Sequence, residues 1–235
     1  MGGSECVKKR LGFEAVDRFV TSGMKLGLGT GSTAMWAVRR VAQRVREGGV
    51  KGLLVVATSL QSEIEARSLG LDVLTLNDAS IGGALDLTID GADEIDPEGN
   101  LIKGGGGAML MEKIIAYSSR RFVIVAEGSK LSRRLGELAA VPIEIVSAAL
   151  FTATRALEAL GAEVRLRIAA NKAGPVVTDL GNLLLDAAFK SGFNPMEQEA
   201  RLNSIPGVLE NGIFTSNKPE LLIGFENGRV EHRKP

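Results

Sequence analysis

Four short stretches hold most of the residues able to do chemistry: GLGTGST (Gly27–Thr33), DGADE (Asp90–Glu94), KGGGGAMLMEKI (Lys103–Ile114) and EGSK (Glu127–Lys130). The third is the most telling. Four consecutive glycines stand between a cation, Lys103, and a helix-like run whose single acidic residue is Glu112. Glycine loses more backbone freedom on folding than any other residue, so ordering four in a row needs compensation, and a ligand lying against bare backbone would supply it. The apolar neighbours Met109, Leu110, Met111, Ile114 and Ile115 are expected to desolvate Glu112 and raise its pKa, while Lys103 pulls it down. A carboxylate balanced in this way is suited to general-base work near neutral pH. The residues four away are Ala108 and Ala116, so a helical i,i+4 salt bridge does not account for it.

GLGTGST stands between a strand-like and a helix-like segment, where glycines admit a ligand to the backbone and the free N–H groups of a helix start favour an anion such as phosphate. It is not the dinucleotide fingerprint, because Ser32 stands where Gly or Ala is required, nor a Walker loop, because no Lys precedes Ser32. The alternative is a tight turn capped by Ser32 or Thr33. DGADE offers Asp90, Asp93 and Glu94 at a strand end, a set open to Mg²⁺ binding, acid/base chemistry or simple solvation of a loop. EGSK brings Lys130 to the end of the next strand, as a second cation for the same anion or as an ordinary surface lysine.

The elements that must position these loops read as repeated strand–helix units. Apolar positions Leu11, Ala15, Val16 and Phe19 predict a helix over Val7–Val20, followed by a strand Lys25–Leu28 and a helix over about 32–46. Strands are expected at Leu53–Ala57, at Asp72–Leu76, in LDLTID and at Arg121–Glu127, with helices over 59–69 and 108–118. Near-continuous apolar strands alternating with helices predict an α/β fold: a Rossmann-like, mostly parallel sheet with helices on both faces. In such sheets ligands bind at the carboxyl ends of strands, and each of the four loops follows a predicted strand, KGGGGA coming after the short NLI segment. From about Leu135 the order changes to βαββαβ, the pattern of a smaller α+β, ferredoxin-like lobe. The expected division is 1–134 with 209–235 as the main domain and 135–208 as the lobe.

Composition removes several function classes. The 28 basic and 28 acidic residues balance, so there is no broad electrostatic case for nucleic acid or an anionic membrane as partner. No apolar run reaches the length of a membrane span, and the N-terminus has no signal-like hydrophobic segment, so an unexported chain is expected. The single cysteine, Cys6, cannot form an intrachain disulfide or a zinc site, which favours a reducing, cytoplasmic compartment. The single histidine, His232, three residues from the end, makes a poor start for a triad or a metal site.

With GLGTGST, DGADE, KGGGGA followed by Glu112, and EGSK in that order, the chain resembles type A ribose-5-phosphate isomerases. The similarity continues through TDLGNLLLDAAF (Thr178–Phe189) and LNSIPGVLENGIF (Leu202–Phe214), and so covers nearly the whole chain. It departs from the family pattern at Met111, where Arg is frequent, and at Leu180, where Asn is usual. The resemblance implies interconversion of D-ribose 5-phosphate and D-ribulose 5-phosphate through an enediol(ate), without metal or organic cofactor. It implies Glu112 as the base between C1 and C2, Asp90 for ring opening and hydroxyl proton transfers, Asp93 for orienting the sugar, and Lys103 for the developing oxyanion. Thr30, Gly31, Ser32 and Thr33 would hold the phosphate with Lys130 and Lys8, while Gly91, Ala92, Gly104, Gly105 and Gly106 would line the sugar. A homodimer or homotetramer is the implied assembly. A sugar-phosphate-sensing module is the main rival, but it would not need Asp90, Asp93, Lys103 and Glu112 together, and it would normally carry a DNA-binding segment, of which no basic stretch before residue 20 gives a sign.

Overall fold

The structure, a computed structural model, describes residues 3–235. In chain order the helices are α1 (Gly3–Phe19), α2 (Ala34–Arg46), α3 (Leu60–Ser68), α4 (Met109–Tyr117), α5 (Leu150–Ala159) and α6 (Pro195–Asn203). The strands are β1 (Lys25–Leu28), β2 (Leu54–Ala57), β3 (Val73–Leu74), β4 (Leu85–Asp90), β5 (Glu94–Ile95), β6 (Leu101–Ile102) and β7 (Ser119–Glu127). After them come β8 (Val141–Ile145), β9 (Glu163–Leu166), β10 (Leu183–Ala188), β11 (Val208–Asn211), β12 (Ile213–Phe214), β13 (Glu220–Gly224) and β14 (Val230–Arg233). By their internal contacts the residues form two units. One comprises residues up to Gly91 with Met111–Ser129 and Asn217–Pro235, the other Ala92–Leu110 with Lys130–Ser216. The segments 92–110, 130–134 and 209–216, which the change of pattern near Leu135 assigns to the main domain, thus group by contact with the second unit.

The first unit is built on a seven-stranded sheet of order β14-β13-β7-β4-β1-β2-β3, parallel throughout except for the β13–β14 pair. The α/β expectation holds, and the tail strand β13 returns beside β7. Side chains alternate across such a sheet. Leu26 and Leu28 of β1 join one core with Leu11, Ala15 and Val16 of α1 and Val38 and Val41 of α2. Gly27, between them, faces the other way: a Cβ there would fall within 2.8 Å of Ile115 on α4. Ile115 in turn packs with Val56, Ile81 and Leu85. Helices therefore cover both faces, which is why β1, β4 and β7 are buried along most of their length.

The second unit contains a four-stranded antiparallel sheet of order β11-β8-β10-β9 and a three-stranded one of order β12-β6-β5. With α5 between β8 and β9 and α6 between β10 and β11, the larger sheet has the ferredoxin-like βαββαβ order. Its core joins Ile143 and Ile145 of β8 and Leu185 and Ala187 of β10 to Ala153 and Leu157 of α5 and Leu202 of α6. The short NLI segment becomes β6 of the smaller sheet. KGGGGA therefore follows a strand of the second unit, whereas the other three chemical loops follow β1, β4 and β7 of the parallel sheet.

Candidate active site

Within the first unit, parallel pairing places the carboxyl ends of β1, β2, β4 and β7 on one edge of the sheet, where α/β proteins bind ligands. Asp90, the last residue of β4, is fully buried there. Its Oδ1 accepts hydrogen bonds from the backbone N–H of Thr30 (2.9 Å) and of Gly91 (2.7 Å), so the acid and the glycine-rich loop hold each other in place. Such closeness requires Gly29, because a Cβ at that position would stand 2.5 Å from the Asp90 Cα. Gly31 has φ of +94°, a left-handed conformation that favours glycine and lets the loop turn into α2.

The Thr30 hydroxyl is buried and lies 2.7 Å from Thr58 Oγ1 and 2.6 Å from Ser59 Oγ, while the Gly31 N–H donates to Gln61 Oε1 at 3.2 Å. Thr33 already has helical torsions, φ −81° and ψ −43°, and its side chain makes no capping bond to α2. The reading of Thr33 as an ordinary cap therefore falls. Ser32 is exposed and Thr33 half-buried at the start of a 13-residue helix, an arrangement suited to an anion. Thr58, Ser59 and Gln61 are contributions that the motif alone did not reveal. They follow β2, parallel neighbour of β1, so the strand-end rule applied to TSLQ could have found them.

Glu112 lies in the first turn of α4 and is 3% exposed. Met109 and Ile115, three residues before and after it along the helix, are both fully buried, so Glu112 lies on the buried face of α4. Ile114, expected to help, is instead 42% exposed. Two positions along a helix is about 200° of rotation, which carries Ile114 to the opposite side. Lys8 on α1 is half-buried, with Nζ 3.8 Å from a carboxylate oxygen of Glu127 at the end of β7. Beyond Glu127 a single 3-10 turn, Gly128–Lys130, carries the half-buried Lys130.

In the second unit, Asp93 accepts a hydrogen bond from the Gly105 N–H at 2.7 Å, and its own N–H donates to the Ile102 carbonyl at 2.9 Å. Ala92, beside it, is half-buried. Lys103 is 2% exposed; its backbone N–H donates to the Gly212 carbonyl at 2.9 Å, and its Nζ is 5.7 Å from the centre of the Phe214 ring. The glycines after it turn sharply, with φ of +102° at Gly104 and +81° at Gly107 and a Gly107 N–H to Gly104 carbonyl bond of 2.9 Å. Gly105 and Gly106 are exposed. Glu94, the third acid of DGADE, is fully buried and accepts from the N–H groups of Gly136, Glu137 and Ala139, each at 3.0 Å. It anchors a loop. No group of metal-ligating side chains suited to holding an ion occurs among the described residues.

Buried ionisable side chains are costly unless their surroundings compensate, and they mark functional sites. A Rossmann-like α/β protein with a glycine-rich loop at a strand end and buried carboxylates nearby in its first unit is the class that these features define. The chain belongs to the ribose 5-phosphate isomerase A (phosphoriboisomerase A) family, whose model matches residues 54–228. It is 48% identical over 232 residues to a ribose-5-phosphate isomerase A from Treponema denticola, covering 96% of this chain and 97% of that one. A second relative of the same name, from Thermosynechococcus vestitus, is 45% identical over 210 residues, covering 89% of this chain and 87% of that one. Among solved structures, ribose 5-phosphate isomerase A of Methanocaldococcus jannaschii superposes with a TM-score of 0.92 at 37% identity, covering 99% of this chain and 100% of that one. A D-ribose-5-phosphate isomerase in complex with phospho-erythronic acid gives 0.93 at 36% identity, covering 98% and 99%.

Proposed function

We infer that this chain interconverts D-ribose 5-phosphate and D-ribulose 5-phosphate, a step of the pentose phosphate pathway, with Glu112 as the base that carries the proton between C1 and C2. The observation that carries this assignment is a carboxylate 3% exposed in the first turn of a helix that follows a glycine loop. In the aldose-to-ketose direction Glu112 takes the C2 proton of the open-chain sugar, and the electron pair shifts toward the carbonyl oxygen O1 to give a cis-enediolate. The proton returns to C1, while a proton moves from the O2 hydroxyl to O1 to complete the ketose. Asp90 serves ring opening and this exchange between oxygens, a role supported by the fixed orientation its two backbone bonds impose. Asp93 orients the sugar. Lys103 stabilises the enediolate oxygen, and its burial supports that role, since a fixed cation away from water acts far more strongly than in solvent.

Thr30, Gly31, Ser32 and Thr33 grip the phosphate, with Lys130 and Lys8 as further cations. Gly91, Ala92, Gly104, Gly105 and Gly106 leave room along the sugar. Binding energy at the remote phosphate orients the reacting end. The phospho-erythronic acid bound by the solved relative supports this division of labour, because it combines a phosphate with a sugar-acid carboxyl group, a planar anion like an enediolate. The same reading includes a homodimer or homotetramer, supported by the exposed apolar side chains of Phe151 (81%) and Met196 (69%) and testable by light scattering. It also includes a cytoplasmic location, supported by the use of a single cysteine.

The test is isomerase activity on ribose 5-phosphate in buffer containing EDTA. The expected result is an active wild type and a Glu112→Gln variant about 10² to 10⁴ times slower. An inactive wild type, or a variant with near-normal turnover, refutes the assignment.

A further inference from the structure

The glycine segment poses a physical problem of its own. With no side chains to hold them, its peptide planes can rotate, yet the Gly105 N–H donates to Asp93 at a defined 2.7 Å. The turn bond from the Gly107 N–H holds one side of the Gly104 carbonyl, and Arg167, which directly follows β9, supplies the side-chain restraint that reaches both the Gly104 and the Gly105 carbonyls. Its Nη1 donates to the carbonyl of Gly104 at 2.9 Å and of Gly105 at 3.2 Å. The other edge of the guanidinium faces Asp186 of β10 in a two-pronged pair, with Nε donating to Oδ2 at 2.9 Å and Nη2 to Oδ1. The backbone of Arg167 is itself fixed, its N–H donating to the Leu184 carbonyl at 2.9 Å and its carbonyl accepting from the Val176 N–H at 2.8 Å.

A trans peptide is planar, and its C=O and N–H point in opposite directions. Holding the Gly104 carbonyl toward Arg167 therefore aims the Gly105 N–H away from it, which is where Asp93 receives it. Holding the Gly105 carbonyl the same way aims the Gly106 N–H to the side opposite Arg167. We propose that Arg167 and Asp186 are positioning residues, a clamp that fixes the peptide orientations of Gly104–Gly106 and through them the carboxylate of Asp93. Because it rests on the isomerase reading, the clamp orients groups that meet the sugar, while neither of its residues touches the reacting atoms. Arginine is required rather than any cation: two carbonyls and a carboxylate are met at once only by a planar fork with several fixed donors, whereas a lysine ammonium is a point charge on a flexible stem.

The decisive variants are Arg167→Lys, which keeps the charge, and Arg167→Ala. The full-length chain is measured in two ways, one of them independent of catalysis. Hydrogen exchange at the Gly105 amide, followed by ¹H–¹⁵N NMR, should quicken about tenfold in Arg167→Lys as its bond to Asp93 loosens, since losing a bond worth about 1–1.5 kcal/mol shifts the opening equilibrium by that factor. Turnover on ribose 5-phosphate should fall by about 10- to 100-fold, the scale of a misplacement near 1 Å. KM should change by less than about threefold, because the phosphate grip is untouched. Added guanidinium should restore part of the activity of Arg167→Ala, and combining Arg167→Lys with Asp93→Asn should slow the enzyme no further than Asp93→Asn alone, as expected for residues acting in series. Unchanged Gly105 exchange in Arg167→Lys overturns the clamp whether or not the protein is an isomerase. Normal turnover in that variant, or multiplicative losses in the double variant, overturns its link to Asp93. An inactive wild type with faster Gly105 exchange in Arg167→Lys would instead uphold the clamp and refute the isomerase reading.

Discussion

The two units fix their acidic residues by different means. In the first, Asp90 is the last residue of a central parallel strand, and the backbone N–H groups that hold it come from its own successor, Gly91, and from the loop after the neighbouring strand β1. In the second, Glu94 and Asp93 belong to or adjoin a two-residue strand, and they are held by a loop some 42–45 residues away and by a glycine turn clamped from Arg167, about 62 residues further along. Sheet geometry positions an acid by register, at little cost beyond the fold itself. A short irregular segment needs dedicated long-range hydrogen bonds, and each of them is a point of failure.

That difference can be broken first at Glu94. Glu94→Gln puts an NH₂ group against N–H donors that now meet a carboxylate oxygen, and breaking these bonds to a fully buried, charged acceptor should cost about 3 kcal/mol. Thermal or urea unfolding would register it as a clearly lowered midpoint, and an unchanged midpoint would show that the loop 136–139 does not depend on this acid. Gly29→Ala probes the parallel sheet. The added Cβ lies 2.5 Å from the Asp90 Cα, so β1 and β4 must move apart, at about 1–3 kcal/mol and with loss of activity from the displaced Asp90. Normal activity in this variant would mean that the placement of Asp90 tolerates a shifted backbone.

The smallest effect concerns the edge of the same sheet. Burial of Glu220 opposes its ionisation, but hydrogen bonds and charge from Arg121 and His232 outweigh that and hold its pKa below the ordinary 4.5. A lowered carboxylate pKa stabilises the fold fully above about 4.5, and the contribution disappears as the pH falls through the folded-state value. Glu220→Gln should therefore cost at most about 1 kcal/mol at neutral pH and nothing in strong acid, so that the two stability curves converge as pH drops. Parallel curves across that range would show that Glu220 adds no pH-linked stability.

The same contrast explains what was legible in the sequence. GLGTGST, β1 and the acid ending β4 are local patterns: apolar runs, glycines at a strand-to-helix turn, a carboxylate at a strand end. They appear in the structure at or within a residue or two of their expected limits. Glu112 was marked by its isolation among apolar residues, although helical rotation puts it on the buried face with Ile115 and turns Ile114 outward. The strands β5, β6 and β12 are two residues each, too short to carry any periodicity, so the membership of 92–110 in the second unit had no sequence signal. Glu94, Arg167 and Asp186 act through partners far along the chain. Their residue types are ordinary, and only tertiary structure reveals the partners.

In the proposed mechanism Glu112 moves a carbon-bound proton. Ribose 5-phosphate carrying deuterium at C2 tests it directly, with NMR following the label into water or onto C1 while circular dichroism verifies the fold. Label should move in the wild type and move about 10² to 10⁴ times more slowly in a folded Glu112→Gln variant. Label movement at close to the wild-type rate in that variant would contradict this mechanism.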